Sequence, residues 1–280
     1  MIQARCLSLT VAAALLAAAT VSAQTTPAKF HWQVGQVLNY KVEQTTNESE
    51  MVGGNKLEST MKLSEVKRWQ VLAVDASGIA TVQQSLTSLR IEKTDAGSTV
   101  VFDSAHPDKS DPGMNEQLKK YVGTPLATLR VDPQGKVVEV KESKYAPASR
   151  YENELPFSII LPPAGVQAGQ SWQRTYQVTL EPPLGTNEKC PAVQKYTCKT
   201  VADGAATIAV TTELKAPPEA AADRAALVQF LPEGEIVFDL KAGRLRSASL
   251  RIDKELKGHQ GEGSSYHYVR TYSEQYAGDR

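Results

Sequence analysis

The sequence lacks the motifs of the common catalytic and nucleotide-binding sites. It contains no G-x-S-x-G nucleophile turn, no H-E-x-x-H zinc motif, no phosphate-binding G-x-x-x-x-G-K-[ST] loop and no EF-hand loop. Histidine, the residue most often used in acid–base catalysis, occurs only four times. These absences predict a protein that is not an enzyme and that carries no cofactor.

A charge excess is also missing, because 31 basic residues balance 31 acidic ones. A nucleic-acid-binding protein would need a basic surplus, and a protein held on an anionic membrane would need a polybasic segment. We therefore expect no nucleic acid among the partners. After the first 23 residues no run is apolar enough to span a bilayer, so the sequence predicts no transmembrane segment.

The one long apolar run stands at the N-terminus and has the layout of a secretory signal peptide. Arg5 precedes the run, and Val21-Ser22-Ala23 places small residues where signal cleavage requires them. A membrane anchor is the alternative, but the run is shorter than the roughly 20 residues that a span needs. We predict cleavage near Ala23 and a soluble, exported protein that is periplasmic or secreted.

Cysteine is scarce as well. Of three cysteines, Cys6 lies in the predicted signal peptide, which leaves Cys190 and Cys198. Two close cysteines in an exported protein favour a disulfide, and we predict one between them. The alternative is a redox-active or metal-binding pair. Such pairs usually have a two-residue spacer or a second Cys/His pair, and the sequence has neither.

What the sequence does contain is polar–apolar alternation with a period of two, for example at 37–44, 174–181 and 248–253. Strands with one buried and one solvent-facing side are typical of antiparallel sheets. Glycine turns separate these stretches. The predicted fold class is mainly β, with antiparallel meander sheets. Short helices are predicted at 112–123 and 218–232.

Recurring turns predict that the chain consists of two tandem repeats. Residues 78–82 (GIATV) match residues 204–208 (GAATI), and Gly135 corresponds to Gly243 in the same order. Each repeat has a short helix before its last hairpin. The alternative is that any two β-hairpin chains share glycine turns. The predicted division is a signal peptide at 1–23, a first repeat at 24–142, a Pro-rich apolar connector at 143–164 and a second repeat at 165–280.

The connector is too apolar for a free linker, which would be polar. It carries Leu155, Phe157, Ile159 and Leu161 between its prolines. We therefore expect it to cross the core of the protein.

Trp32, Gly35 and Tyr40 form a W-x-x-G-x-x-x-x-Y motif close to the predicted cleavage point. Together with the stretches 68–82, 131–140, 161–172 and 238–245, it resembles a family of uncharacterised exported bacterial proteins with repeated β-hairpin units. The resemblance implies export and a repeated β architecture. It implies no activity, cofactor or site residue.

Near the C-terminus, Tyr266, Tyr268, Arg270 and Tyr272 share one face of a predicted strand. Aromatic rings with polar tips can bind a sugar or a peptide. These four residues are the predicted ligand-binding candidates. The alternative is ordinary cross-strand packing of the tyrosines.

No metal site is predicted, although His259, Glu262 and His267 form the best candidate cluster. Two loop ligands closed by a strand residue can hold a metal or support acid–base chemistry. The alternative, which we prefer, is a glycine-rich hairpin loop with two surface histidines.

Three functions fit these observations. The preferred one is a non-enzymatic binding or scaffold protein of the bacterial periplasm or envelope, whose partner is an unknown ligand or envelope protein. The second is a carrier that holds a lipid or another amphiphile in the cavity of a curved sheet. The third is a hydrolase with a loop-built site, which only the histidines support.

Overall fold

The computed structural model describes residues 25–152, 159–182 and 184–279. The strands in these ranges are β1 Val37–Val52, β2 Asn55–Val74, β3 Ala80–Asp95, β4 Ser98–Asp103, β5 Pro125–Val131, β6 Val137–Ser143, β7 Ser171–Leu180, β8 Glu188–Ala202, β9 Ala205–Leu214, β10 Glu233–Asp239, β11 Arg244–Lys257 and β12 Ser265–Gly278. The helices are α1 Pro112–Leu118 and α2 Ala221–Ala225, with 3₁₀ turns at Pro107–Lys109, Lys119–Tyr121, Ala148–Glu152 and Val228–Phe230. The predicted signal peptide and the connector residues Leu155 and Phe157 lie outside the described residues.

These strands form one antiparallel sheet, which confirms the predicted fold class. The order across the sheet is β6-β5-β3-β2-β1-β12-β11-β10-β9-β8-β7, and β4 pairs with β3 alone. The alternation in the sequence accounts for the strands. In β1, for example, Tyr40 and Val42 are buried while Lys41 and Glu43 are exposed.

Both predicted helices are present, but the second is shorter than expected. α1 begins where the Asp111 carboxylate accepts a hydrogen bond from the Met114 amide at 3.0 Å. The stretch 218–232 forms only α2 and the turn Val228–Phe230. Leu227 is buried beside that turn, so tertiary packing holds a segment too short to be a stable helix alone. No helix in the described ranges has the length and apolar character that crossing a membrane requires.

The sheet curls until its two ends meet at the connector. The Leu161 amide donates to the Gln134 carbonyl in the β5–β6 turn at 2.9 Å. The neighbouring Ile160 carbonyl accepts a hydrogen bond from the Trp172 indole of β7 at 2.6 Å. Strands β6 and β7 are ten steps apart along the sheet, which would be nearly 50 Å in a flat sheet at about 4.8 Å per step. Curling therefore creates an inner face.

One end of this inner face is filled by side chains from outside the sheet. Phe30 packs edge-on against Phe238 of β10, with ring centroids 5.0 Å apart. Ile159 and Leu161 of the connector are buried in the same core. The part of the connector that the structure describes thus lies where its apolar sequence predicts. The Phe30 amide donates to the Pro133 carbonyl at 2.7 Å, which fixes this inserted segment to the β5–β6 turn.

Local contacts recur at equivalent positions of the two halves. The Gly35 amide donates to the Val71 carbonyl at 2.9 Å, and the Gly169 amide donates to the Cys198 carbonyl at 2.8 Å. A short helix precedes both β5–β6 and β10–β11. However, β4 and β12 have no equivalent in the opposite half. All the strands share one sheet and one main core, and the tandem duplication itself stays a prediction.

The predicted disulfide is wrong. Cys190 and Cys198 are free thiols on the same strand, β8. Eight residues of extended chain separate them by about 26 Å, whereas the Cα atoms of a disulfide lie about 4.4–6.8 Å apart. Close spacing in the sequence favours a disulfide only when a turn brings the two residues together, and here the intervening residues are a strand.

Candidate ligand-binding cavity

The inner face is hollow at the end away from Phe30. A cavity of about 620 Å³ lies between the central strands β1, β2, β11 and β12 and the edge strands β7 and β8. Its volume falls in the range of cavities that bind small molecules. Leu184, which is 45% exposed, also borders the cavity. The cavity therefore opens to solvent just beyond the end of β7.

Apolar side chains form much of the cavity wall. They come from four strands and from the turn Val228–Phe230, and they include Val42, Leu63, Val178, Phe230, Leu250 and Ile252. Covering such a wall with an apolar ligand is favourable by roughly 25 cal/mol per Å² of apolar surface removed from water. The wall is thus suited to an aliphatic or aromatic group.

A buried charged cluster borders the cavity between β2 and β12. The Lys67 ammonium lies 3.9 Å from a Glu65 carboxylate oxygen and 4.0 Å from one of Glu274. It also donates to the Tyr272 hydroxyl at 3.2 Å, and that hydroxyl donates to Glu274 at 2.7 Å. The side chains of Lys67 and Glu274 are only 4% and 0% exposed. Because a lone buried ion costs several kcal/mol, these groups depend on one another.

Arg174 of β7 enters the cavity wall opposite this cluster. Its Nε donates to the Gln194 side-chain oxygen at 2.9 Å, and its guanidinium lies 4.7 Å from the centre of the Tyr176 ring. The same Gln194 oxygen accepts a hydrogen bond from Tyr196 at 2.5 Å. Burial raises the pKa of Tyr196 to about 12, so this hydroxyl is a neutral donor at physiological pH.

Arg270 of β12 also borders the cavity. Thr46 of β1 and Ile252 of β11 stand directly across from it in the sheet. One guanidinium nitrogen, Nη1, donates to the Gln229 carbonyl at 3.3 Å, and the guanidinium lies 5.3 Å from the centre of the Tyr268 ring. Its Nε is buried without a hydrogen-bond partner among the described residues.

The structure places the four predicted binding residues on the inner side of β12. Arg270 and Tyr272 line the cavity. Tyr268 is buried against Val228 and Ile252, and Tyr266 packs at the edge of that cluster. Burial raises the pKa of both Tyr266 and Tyr268. Cross-strand packing therefore accounts for two members of the row, whereas ligand binding by the other two stays a prediction.

The three candidate metal residues do not come together. His259 is buried and its Nε2 lies 2.7 Å from Glu50, whereas His267 is exposed and pairs with Asp253 at 2.8 Å. Glu262 lies exposed in the β11–β12 turn. Over the ranges that the structure covers, no three His, Cys, Asp or Glu side chains are grouped as a metal site requires.

A smaller cavity of about 220 Å³ adjoins the first one. Leu63, Glu65, Lys67 and Arg150 border both. Its remaining wall is mainly apolar, with Leu86, Leu89, Ile91, Tyr121, Leu126 and Tyr145. The inner face thus offers two adjacent apolar spaces with charged groups at their junction.

The sequence analysis did not single out Glu65, Lys67 and Arg174. The signal was nevertheless present in the alternation of β2, where Leu63, Glu65, Lys67 and Trp69 share the inward face. Charged residues at positions that the period assigns to the core are exceptions to ordinary patterning. Such exceptions are expected near functional sites.

Comparison with known proteins bears on the fold alone. No family model and no curated protein matches the chain. Among solved structures, the chain is similar to lipovitellin, in a structure describing lipid–protein interactions, with a TM-score of 0.50 and 11% identity over 89% of this chain and 26% of that chain. The chain thus spans about a quarter of the length of that protein.

Two further structures match with low scores. One is an outer membrane channel from Pseudomonas putida F1, with a TM-score of 0.21, 8% identity and coverage of 89% of this chain and 97% of that chain. The other is the translocator domain of autotransporter NalP from Neisseria meningitidis, with a TM-score of 0.26, 11% identity and coverage of 88% and 89%. Scores of this size carry no argument about function.

Proposed function

We propose that this protein is an exported, non-enzymatic binding protein that holds an amphiphilic ligand in the cavity of its curled sheet. The observation that carries the proposal is the composition of that cavity. An apolar wall that includes Phe230, Leu250 and Ile252 stands beside the charged groups of Lys67 and Arg270. A ligand with an apolar chain and a polar head would match both surfaces.

The cost of the charged cluster supports a role in binding. Replacing a buried ion group with apolar residues of similar volume is often neutral or stabilising. Lys67 and Glu274 are therefore an expensive way to fill the interior if stability alone is considered. Polar groups placed within a mainly apolar cavity are the usual means of orienting a bound ligand.

The similarity to lipovitellin gives secondary support. The structure of lipovitellin that this chain resembles describes lipid–protein interactions, and the similarity extends over 89% of this chain. At 11% identity the likeness concerns the fold. It makes a lipid-like ligand a reasonable first choice of probe.

The carrier hypothesis from the sequence has gained more support than the other two. The hydrolase hypothesis depended on His259 and His267, which pair with separate carboxylates, Glu50 and Asp253. The scaffold hypothesis gains nothing from the cavity and stays a prediction.

Binding of single-chain amphiphiles tests the proposal. The purified protein is titrated below the critical micelle concentration with monododecanoylglycerol and with dodecanoate, and binding is followed by calorimetry and native mass spectrometry. We expect saturable binding of at least one of the two. Leu250→Trp should weaken this binding at least tenfold, because the indole would occupy the cavity.

Ser249→Trp is the matched control, since Ser249 is exposed and precedes Leu250 on the same strand. It adds the same indole on the outer side of the sheet and should leave binding unchanged. The proposal is wrong if neither of these two amphiphiles nor dodecyl phosphate binds the wild-type protein. It is also wrong if folded Leu250→Trp binds as tightly as Ser249→Trp.

A further inference from the structure

Arg270 forms no ion pair with a carboxylate in the part of the chain that the structure describes. Its Nη1 donates to the Gln229 carbonyl at 3.3 Å. Its direct neighbours across the strands, Thr46 and Ile252, are uncharged. Buried or half-buried charges in proteins are normally paired. Arg270 is thus a cation in the cavity wall with capacity for an anion.

Two other cations that border the cavity, Lys67 and Arg174, have side-chain partners that hold them in place. Lys67 lies between the carboxylates of Glu65 and Glu274. Arg174 is held by the side chain of Gln194. Glu48 is the acid whose ionisation Arg270 favours from a longer distance, and burial nevertheless raises the pKa of Glu48. No ion pair joins Glu48 to Arg270 among the described residues, so Glu48 is not a close counter-ion.

The chemistry of a guanidinium narrows the choice of anion. Its planar array of donors matches the two oxygens of a carboxylate or a phosphate, with which it forms paired, charge-assisted hydrogen bonds. The Nε of Arg270 is one of the donors that would complete such a pair, and it lacks a partner among the described residues. Phe230 and Ile252 border the cavity beside it, so an apolar chain can continue from the bound head.

We propose that Arg270 selects ligands with an anionic oxygen headgroup, a carboxylate or a phosphate, attached to an apolar chain. This inference rests on the proposed function, because it specifies the ligand class of the same cavity. The tyrosine row of β12 then has a divided role. Tyr268 supports the guanidinium through its ring at 5.3 Å, whereas Arg270 makes the contact with the ligand.

Four amphiphiles with the same chain length test the inference: dodecanoate, dodecyl phosphate, neutral monododecanoylglycerol and cationic dodecyltrimethylammonium. Their affinities for the purified protein are measured by calorimetry below their critical micelle concentrations. We expect one or both anions to bind about tenfold to a hundredfold more tightly than the neutral compound, as a hydrogen bond to a charged group predicts. The two anions distinguish a carboxylate site from a phosphate site.

Arg270→Gln should remove the preference for anions while leaving the affinity for monododecanoylglycerol within about twofold. Arg90→Gln is the control. Arg90 is an exposed arginine of strand β3, away from the cavity, and it pairs with Glu92 and Asp103. It should keep the full preference. Arg270→Lys keeps the positive charge but loses the planar array of donors, so it should retain only part of the preference for anions. This variant replaces Arg270→Gln in the test if Arg270→Gln does not fold.

The possible failures are distinguishable. If the neutral and anionic amphiphiles bind wild-type protein equally well, this inference is overturned and the proposed function stands. The same holds if the anion preference survives in folded Arg270→Gln. If none of the four amphiphiles binds, both the inference and the proposed function are overturned.

Discussion

The two ends of the inner face are built by the same strands but are filled differently. At the solid end, Trp69, Tyr196 and Phe238 are fully buried, and Phe30 and Ile159 enter from segments outside the sheet. At the hollow end, the same strands surround a cavity of about 620 Å³. A curled sheet does not close its own interior, so what the chain inserts decides which part becomes core and which part stays open.

The difference in packing also predicts that the two ends contribute differently to folding stability and to ligand binding. A packed interior loses several kcal/mol when a large side chain is truncated, because the surroundings collapse only partly. A side chain that already borders a cavity has fewer contacts to lose. We therefore expect the solid end to hold the fold and the hollow end to tolerate substitution.

The largest expected effect is a loss of folding stability, and it distinguishes two leucines on strand β11. Leu245 is fully buried at the solid end, and Leu250 borders the cavity. Leu245→Ala should lower the free energy of unfolding by about 4 kcal/mol, and Leu250→Ala by about 1 kcal/mol. Urea denaturation of the two variants measures both values. Equal losses would mean that the two ends are packed alike.

An intermediate loss of folding stability is expected on substitution in the β5–β6 turn, which contacts Phe30. Gly135 has φ of +91°, and a Cβ atom there would lie 2.5 Å from the Phe30 ring and 2.6 Å from the Ile159 carbonyl. Gly169 has φ of +83° and no atom within 4 Å of such a Cβ. Both alanine variants carry the backbone strain of a positive φ, about 1–2 kcal/mol. Gly135→Ala should cost about 1–3 kcal/mol more, because it also displaces the inserted segment.

Thermal and urea unfolding of these two glycine variants give the comparison directly. A cost for Gly135→Ala no larger than that for Gly169→Ala would show that the inserted segment is not held tightly by the turn. In that case Phe30 would contribute less to the solid end than its burial indicates.

The smallest expected effect is a difference in the alkylation rates of the two thiols, which requires no change in folding stability. Cys198 is fully buried at the solid end and burial raises its thiol pKa, whereas Cys190 is only partly buried. Without reductant, an alkylating reagent should label both residues, and Cys190 at least tenfold faster, which corresponds to about 1.4 kcal/mol in local opening. Unfolded protein serves as the control and should label both at similar rates. Protection of both thiols until reductant is added would restore the disulfide interpretation.

Much of the fold could be predicted from the sequence because alternation is a local property. The burial of Tyr40 and Val42 and the turn at Gly135 follow from neighbouring residues alone. The curl could not be predicted in this way, since it depends on contacts such as that between Ile160 and Trp172 at the joined ends of the sheet.

The candidate site was predictable only in part for the same reason. Arg270 and Tyr272 were found because they lie in one distinctive row on β12. Lys67 was missed because its partners Tyr272 and Glu274 are distant in sequence, although the alternation of β2 already places the charged Glu65 and Lys67 on the inward face. The cysteine prediction failed because spacing was considered without the strand that contains both residues.

The pairing of the first strand with the last has a consequence for the order of folding. The hydrogen bond between Lys67 and Tyr272 joins residues 205 positions apart, and β12 lies between β1 and β11. Each half can form its hairpins from local contacts, but contacts between distant segments form late because of their loop-closure entropy. The pairing of β12 with both β1 and β11 is therefore expected to follow the formation of the local hairpins, and the cavity is complete only once β12 has paired.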